Sequence, residues 1–400
     1  MVPQNPRCSI VLPCLNEEET LGACIEEIQS TFEHGEIAGE IIVADNGSTD
    51  RSPEIAREHG ATVIDVQERG YGNALRGGIS AASGEYVIMG DADLSYDFRD
   101  IPKFLGRLEH GDDLVMGNRF LGGIDRGAMP LSHRLIGNPL LSFLGRLFFR
   151  IPIGDMHCGL RGMRKKSFDQ LNLRTTGMEF ASEMIVRAAL LRMKITEVPV
   201  HLRKDGRSGR SHLRTFRDGW RHLAFLLLLS PRWLFLYPGI ALALPSLLLF
   251  FWLLPHSRIF FGATLDIHTL LIAVLGIIAG LQWLTFGLIT RTIATSMGIH
   301  PSSALIEKSL RIITLERGLI IGGICTIAGI LLIALPTFGW QQGGFLSLDP
   351  TETMREVIPA LLLIFLGIQI FSTRFFLAAA ALSSFGVHRE DGDGPLFGKK

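Results

Sequence analysis

Two carboxylates stand one residue apart at the point where a predicted strand ends. The apolar run from Tyr86 to Met89 is followed by Gly90 and then by Asp91 and Asp93, separated by a single alanine. Carboxylates at this spacing can share a hard divalent cation, Mg²⁺ or Mn²⁺, whose shell is completed by pyrophosphate oxygens and water. A solvated acidic turn is the alternative interpretation. Polar motifs at two other strand ends reduce its weight.

The first two predicted strands also end in polar residues. Pro13 is followed by Asn16 and Glu17, and the second strand ends in Asp45, which opens the stretch DNGSTD. Ligands of open α/β sheets bind beyond the carboxyl ends of the strands, where a carboxylate accepts hydrogen bonds from a base or a ribose hydroxyl. Taken alone, a proline turn, an asparagine cap and an Asn-Gly turn explain the same residues as structure.

The elements that must position these residues alternate between short β-branched strands and amphipathic helices over residues 1 to about 200. This alternation predicts βαβ units and a largely parallel sheet. The predicted strands are Ser9–Leu12, Glu40–Ala44, Thr62–Val66, Tyr86–Met89 and Leu114–Met116. The predicted helices are Glu17–Thr31, Ser52–His59, Gly72–Ala82 and Ile101–Glu109. Asp50, with Ser48 and Thr49, is expected to cap the second helix.

Charge and cysteine content narrow the classes of function. Lys and Arg together number 39, as do Asp and Glu, so net charge gives no reason to expect nucleic-acid binding. The five cysteines form no CxxC pair, which predicts reduced thiols in a cytosolic or membrane setting. His157 and Cys158 are adjacent with no second pair at metal spacing, so a zinc site is not expected.

The second half of the chain contains uncharged runs long enough to cross about 30 Å of hydrocarbon. Four membrane helices are predicted, at about 233–254, 267–290, 318–340 and 357–384, in a membrane domain of residues 233–388. Lys and Arg are most frequent between the second and third helices, at Arg291, Lys308, Arg311 and Arg317. By the positive-inside tendency, that loop, the domain of residues 1–225 and the tail 389–400 are cytosolic. The expected location is a membrane, the plasma membrane if the source is bacterial.

Two segments between the sheet and the membrane helices predict contact with the membrane surface. Residues 131–153 mix apolar residues with Arg134, Arg146 and Arg150, and residues of about 213–230 lead into the first membrane helix. Residues 201–232 carry eight Lys and Arg against two Asp. Both compositions suit a domain that lies on an anionic lipid surface. A buried helix pair is the alternative for the first segment.

Small residues in the membrane helices would permit close packing. They lie at 240–246 and 318–329. The packing they permit is either within one chain or between chains, which leaves a homo-oligomer open.

Taken together, the motifs at the three strand ends resemble those of the family 2 glycosyltransferases, which have a Rossmann-like GT-A fold. More narrowly, they are similar to the dolichol-phosphate mannose synthase and polyprenyl-phosphate glycosyltransferase group, in which such a domain precedes membrane helices. The resemblance implies a nucleotide site formed by Pro13, Asn16, Glu17, Asp45 and Asp91. It also implies that Asp91 and Asp93 are catalytic carboxylates that hold the metal. Relatives often have Gln two residues after the second Asp, whereas this chain has Ser95, so the third ligand is Ser95, Asp97 or water.

Later blocks similar to those of the family supply arginines, whose forked guanidinium groups suit phosphate. By this resemblance, the groups that hold the acceptor phosphate would be Arg119, Arg134, Arg203 and Arg207. Relatives commonly read Ser-Lys at the end of the last block, which here spans residues 203–208, and Arg210 would substitute for the lysine. The resemblance also marks Arg119 and Asp155 as catalytic.

Three carboxylates have open interpretations. Asp155 would orient the acceptor or accept a proton, or it caps a glycine turn. Glu179 and Glu183 lie four apart on one predicted helix face. They would approach the acceptor or the sugar, or, as we expect, they serve capping and a solvated face.

The resemblance implies transfer of one sugar, glucose or mannose, from UDP-glucose or GDP-mannose to undecaprenyl or dolichyl phosphate. The transfer would invert the anomeric carbon on the cytosolic membrane face. A phosphate monoester with a second pKa of about 6 is mostly dianionic at pH 7, so it needs positive charge rather than a general base. One alternative is a processive polysaccharide synthase, although Leu229 stands where its Gln-x-x-Arg-Trp block has glutamine. A non-catalytic nucleotide-sugar sensor is the other.

Overall fold

The computed structural model describes residues 5–207, 215–296, 300, 314–342 and 344–384. The chain divides into two compact units, Met1–Leu227 and Leu228–Lys400. Several predicted features lie outside the described residues, namely Arg210, Lys308, Arg311, the tail 389–400 and the start of the segment 213–230.

The first unit contains a seven-stranded sheet within its described residues. Its strands are β1 Cys8–Cys14, β2 Gly39–Asp45, β3 Thr62–Asp65, β4 Tyr86–Met89, β5 Leu114–Asn118, β6 Arg161–Arg164 and β7 Ile195–Pro199. Their spatial order is β3-β2-β1-β4-β6-β5-β7. Only β6 runs antiparallel to its neighbours, β4 and β5. The predicted α/β architecture with a largely parallel sheet is confirmed.

Helices cover the sheet because their apolar residues recur on one face. In α4, the buried residues are Ile101, Phe104, Leu105 and Leu108, which is the spacing of a single helical stripe. The helices are α1 Leu21–His34, α2 Ser52–Glu58, α3 Tyr71–Ala81, α4 Ile101–Glu109, α5 Arg119–Gly122, α6 Asn138–Phe149, α7 Lys165–Leu171, α8 Phe180–Leu190 and α9 Thr215–Leu228.

The strand register brings the polar strand ends to one edge of the sheet. Cys14 of β1 lies opposite Asp45 of β2, and Val11 of β1 lies opposite Met89 of β4. Because β6 runs in the opposite direction, it is the segment before β6 that reaches this edge. The loop 155–160 therefore faces the ends of β1, β2 and β4.

Two strands and one helix start differ from the sequence prediction. β6 and β7 are additional strands, and α1 begins at Leu21 instead of Glu17. The backbone N–H of Glu17 donates to Ser52 Oγ at 2.8 Å, and that of Glu18 donates to Asp50 Oδ2 at 3.1 Å. These bonds hold the start of the predicted helix in a turn against the next loop.

The described part of the second unit contains four helices long and apolar enough to cross a membrane, which confirms the predicted number. They are the span Arg232–Leu253, which includes α10 Tyr237–Leu253, followed by α11 Ile267–Ser296, α12 Leu315–Gln342 and α13 Pro350–Ser384. A short hairpin, β8 Arg258–Phe260 with β9 Ala263–Leu265, joins α10 to α11. Arg291, expected in a loop, lies within α11.

Small residues bring the membrane helices into close contact within this chain. A Cβ added at Gly322 of α12 would lie 2.7 Å from the carbonyl oxygen of Gly367 in α13. One added at Gly280 of α11 would lie 2.5 Å from the backbone nitrogen of Ala243 in α10. The two predicted small-residue stretches therefore serve packing between neighbouring helices of one chain.

Candidate active site

The carboxylates of Asp91 and Asp93 follow β4 directly. Tyr71 Oη donates to Asp91 Oδ1 at 3.2 Å, and the backbone N–H of Ser95 donates to Asp93 Oδ1 at 3.1 Å. Removal from water and the negative charge of Asp93 raise the pKa of Asp91 to about 6. Burial is the larger cause of this shift, and repulsion between the two carboxylates adds to it.

This pair of carboxylates fits a divalent cation, because a cation would neutralise the charge that raises the pKa of Asp91. In the part of the chain that the structure describes, no three His, Cys, Asp or Glu side chains form a metal-binding group. The chain therefore offers Asp91 and Asp93, and the remaining ligands would come from phosphate, water or the nearby buried Ser95.

Asp97 has other partners, so it is a poor candidate for the third metal ligand. Its Oδ2 lies 2.6 Å from Arg99 Nη2 and 2.5 Å from Arg203 Nη2. Desolvation opposes ionisation, but hydrogen bonds from these guanidinium groups hold the pKa of Asp97 below its ordinary value. Arg203 also pairs with Glu27 of α1 at 2.9 Å. Asp97 and Glu27 thus hold Arg203, one of the arginines expected to bind phosphate.

The loops after β1 and β2 are bound to each other. The amide oxygen of Asn16, a residue with φ 59°, accepts from the backbone N–H of Thr49 at 2.8 Å. Ser48 Oγ accepts from the backbone N–H of Asn16 at 3.0 Å, and Asp50 accepts from Ser52 N–H at the start of α2. Asp50 therefore accepts from the first N–H group of α2, but the N-cap residue is Arg51, which has no side-chain capping bond, and Ser48 and Thr49 bond to Asn16.

Asp45 closes the turn that follows β2. Its carboxylate accepts from the backbone N–H groups of Gly47 and Ser48 at 3.2 and 3.3 Å. Gly47 has φ +87°, and a Cβ added there would approach the Arg69 guanidinium to 3.2 Å. Asn16 and Asp45 thus have the structural roles weighed as alternatives, and they give the loops beside Pro13 a fixed shape.

Arg207 joins two predicted blocks. Its guanidinium forms a bidentate pair with the buried carboxylate of Glu17, in which Nε lies 2.7 Å from Oε2. Arg207 Nη2 also lies 3.5 Å from Asp93 Oδ2. Burial opposes the charge, but Glu17 and Asp93 raise the pKa of Arg207. Positive charge therefore stands directly beside the two carboxylates.

Arg119 and Asp155 form a second, more buried pair. Arg119 Nε and Nη2 donate to the two Asp155 oxygens at 2.7 and 2.8 Å, and the Arg119 backbone N–H donates at 3.2 Å. The Asp155 carboxylate has no exposed surface. Its oxygens are thus engaged in holding Arg119 at the carboxyl end of β5.

Arg134 lies on a different kind of surface from the paired arginines. It is exposed in a π-helical turn, His133–Gly137, which precedes α6. Large apolar side chains of the same stretch are also exposed, including Leu135 at 69% and Ile136 at 65%. The residues 131–149 therefore do not form a buried helix pair within this unit.

Tyr71 lies outside the sequence motifs, whereas Arg161 ends the motif of residues 155–161, which is similar to a later block of the family. Tyr71 begins α3 after Gly70, whose φ of +132° allows the sharp entry into the helix. Arg161 is fully buried and donates to the carbonyl oxygens of Met156 and Cys158 at 3.2 and 2.7 Å. It thereby fixes the loop before β6. A glycine-rich helix start was the available signal for Tyr71.

The expectation that Glu179 and Glu183 lie on a solvated face is wrong for Glu183. Its side chain is buried and accepts from the backbone N–H groups of Arg174 and Thr175 at 3.0 and 2.8 Å. The carboxylate satisfies N–H groups of the loop before α8, and that requirement draws it inward.

Gly159 forms the wall of the carboxylate site. Its backbone N–H donates to Tyr96 Oη at 2.7 Å, and a Cβ added at this position would lie 2.5 Å from Asp91 Oδ2. We expect Gly159→Ala to displace the Asp91 carboxylate and to lower the rate of the reaction by about 10²-fold. Steady-state kinetics check this, with Gly106→Ala as the control, because a Cβ at Gly106 meets no atom within 4 Å. Equal activity of both variants contradicts the prediction.

Sequence comparisons place these features among known proteins. Residues 9–171 match the family described as Glycosyl transferase family 2, and residues 288–381 match the Glycosyltransferase family 2 C-terminal transmembrane region. The low-salt glycan biosynthesis hexosyltransferase of Haloferax volcanii is 36% identical over 376 residues, which is 94% of this chain and 89% of that protein. The dolichyl-phosphate hexose transferase of the same organism is 31% identical and covers 53% of this chain and 88% of its own.

A comparison of structures gives a more distant similarity. Glucosyl-3-phosphoglycerate synthase from Mycobacterium tuberculosis, solved with phosphoglyceric acid, is 23% identical with a TM-score of 0.45. The similarity covers 56% of this chain and 79% of that chain.

Proposed function

Because this chain belongs to glycosyltransferase family 2, in its polyprenyl-phosphate glycosyltransferase group, we propose that it transfers one hexose from a nucleotide-sugar to a polyprenyl phosphate. The enzyme has a GT-A catalytic domain and is an integral membrane protein. The proposed donor is UDP-glucose or GDP-mannose, and the proposed acceptor is undecaprenyl or dolichyl phosphate. Both relatives named above are hexose transferases, and one carries the dolichyl-phosphate acceptor in its name.

One observation carries the proposal: paired carboxylates lie beside a guanidinium group at the carboxyl edge of the sheet. Asp91 and Asp93 would hold Mg²⁺ or Mn²⁺, which when bound neutralises the charge of the leaving nucleoside diphosphate. Arg207, 3.5 Å from Asp93, supplies a positive charge at the same place. Such charges stabilise a transition state best when they are held in position before the reaction.

The acceptor side needs positive charge and no general base, because its phosphate is already mostly dianionic at pH 7. Arg119, Arg134, Arg203 and Arg207 remain the proposed phosphate-binding groups. Three of them are paired with carboxylates, Arg119 with Asp155, Arg203 with Glu27 and Asp97, and Arg207 with Glu17. We propose that these carboxylates position the guanidinium groups, and that Asp155 acts by orienting Arg119. One direct displacement by phosphate then inverts the anomeric carbon.

The lipid substrate would reach the site at the membrane surface. The exposed apolar side chains of residues 131–149 and the exposed Trp220 of α9 suit contact with lipid. Their basic neighbours suit an anionic leaflet. With the distribution of Lys and Arg around the membrane helices, this supports a cytosolic catalytic domain.

In the test, membranes that contain the full-length enzyme receive radiolabelled UDP-glucose or radiolabelled GDP-mannose. Undecaprenyl phosphate and Mg²⁺ or Mn²⁺ are also present. We expect one donor to label the organic extract and EDTA to prevent the labelling. Asp169→Asn, an exposed change on α7, serves as the unaffected control. Label in an insoluble polymer would instead favour a processive synthase. Nucleotide-sugar binding without any transfer would favour a sensor.

A further inference from the structure

His157 is a half-buried residue whose imidazole has no part in the reaction proposed above. Both of its ring nitrogens are buried and have no hydrogen-bond partner among the described residues. Leaving such a group unpaired is costly, so it is normally bonded in the working state of a protein. We therefore expect a ligand to supply the hydrogen-bond partner of the His157 ring.

His157 lies in the loop that connects the two parts of the site. Its backbone N–H donates to Asp155 Oδ1 at 3.3 Å, and Asp155 holds Arg119. Two residues later, a Cβ added at Gly159 would lie 2.5 Å from Asp91 Oδ2. The imidazole thus stands on the chain segment that joins the Arg119 pair to the carboxylates.

The ring is covered by α9. His222 of α9 packs edge-to-face on His157 with ring centroids 4.8 Å apart, and its Nδ1 lies 2.8 Å from Ser182 Oγ. α9 carries the exposed Trp220 and directly precedes the first membrane span in sequence. The face of His157 that His222 covers is therefore the one nearest the helix expected to meet lipid.

The surroundings of His157 favour the neutral imidazole, which can donate a hydrogen bond. Burial, the neighbouring His222 and the positive charges of Arg119 and Arg161 lower its pKa well below the ordinary value. A neutral imidazole carries one N–H and one acceptor nitrogen. It can donate to a phosphate oxygen in a place where a further positive charge would be costly.

We propose that His157 binds the phosphate of the lipid acceptor, and that His222 covers it until the phosphate enters. The inference rests on the proposed function, since it names a residue for that acceptor. A lipid phosphate is favoured over the sugar of the donor because the backbone of His157 is bonded to Asp155, the partner of Arg119, and because its ring is covered by His222 of α9. No covalent step is assigned to the imidazole.

The test measures KM for undecaprenyl phosphate and for the nucleotide-sugar separately in full-length His157 and His222 variants. His157→Phe retains a ring without nitrogens, and we expect it to raise the lipid KM about 10- to 100-fold, with donor KM unchanged. His157→Gln or His157→Asn, which retain a donor, should recover much of the affinity. His222→Ala uncovers the site and should leave the lipid KM equal or lower. His110→Phe, an exposed change on a distant turn, is the control.

A raised lipid KM in His157→Phe with an equal or lower lipid KM in His222→Ala separates a binding role from a packing role, since loss of packing would raise the lipid KM of both variants. The inference is overturned if His157→Phe leaves the lipid KM unchanged, if donor KM rises instead, or if Gln and Asn fail as Phe does. Failure of the proposed function is distinguishable, because the wild-type enzyme would then label no lipid from either donor.

Discussion

Asp93→Ala is expected to lower the rate of hexose transfer by at least about 10²–10³-fold. The variant removes one of two carboxylates beside β4 and leaves Asp91 without its partner for the cation. It also removes the carboxylate that lies 3.5 Å from the Arg207 guanidinium group. The measurement is radiolabel transfer to extracted lipid at saturating Mg²⁺ or Mn²⁺.

The same variant has a second expected result that excludes misfolding as the cause. Asp93 raises the pKa of Asp91 by repulsion, so its loss should leave the melting temperature without metal unchanged or slightly higher. Mn²⁺ should raise the melting temperature of the wild type with nucleotide present, but not that of Asp93→Ala. Asp169→Asn should behave as the wild type in both measurements. An Asp93→Ala enzyme that retains transfer sinks the assignment of the metal site.

Asp155→Ala is expected to destabilise the catalytic domain by about 3–5 kcal/mol and to lower its melting temperature by about 10 °C. The carboxylate is fully buried and receives three hydrogen bonds from Arg119. Its removal leaves a buried guanidinium group without its counter-charge, which costs more than the pair itself contributes. Thermal unfolding of the purified full-length enzyme in detergent measures the change.

A double variant separates stability from function at this pair. Arg119→Met with Asp155→Leu replaces both charges by apolar groups of similar size, and such replacements are often neutral for stability. We expect the double variant to recover most of the lost melting temperature and to remain inactive, because it lacks the proposed phosphate-binding guanidinium. Recovery of transfer along with stability would show that Arg119 and Asp155 serve only the fold.

The sequence predicts those strands and helices whose pattern is local. β4 and α4 have the predicted bounds because a β-branched run and a clear helical stripe define them. β6 has the sequence RGMR, which has no alternation of apolar and polar residues, and it forms by insertion between β4 and β5. Its position depends on contacts distant in the chain, which a window of a few residues does not contain.

In the site too, the sequence predicts where residues lie along the strands but not which side chains they contact. The motifs predict that Asp91 and Asp93 follow a strand, since strand ends can be inferred from sequence. The motifs give no sign that Arg207 binds Glu17, 190 residues earlier, or that Arg203 binds Glu27, 176 residues earlier. Such pairs depend on the three-dimensional arrangement of loops, and Arg residues near a membrane have several chemically reasonable partners.

The reversed direction of β6 has a consequence for how this enzyme can change during evolution. The loops at the sheet edge that carries Asp91 and Asp93 include those that follow the carboxyl ends of β1, β2 and β4. The loop 155–160 lies at the same edge but precedes the amino end of β6. The loops proposed to bind the donor and the acceptor thus belong to separate parts of the chain. The two sets meet at the carboxylates, since a Cβ added at Gly159 would lie 2.5 Å from Asp91 Oδ2, so a substitution at this contact during evolution has to suit both sets.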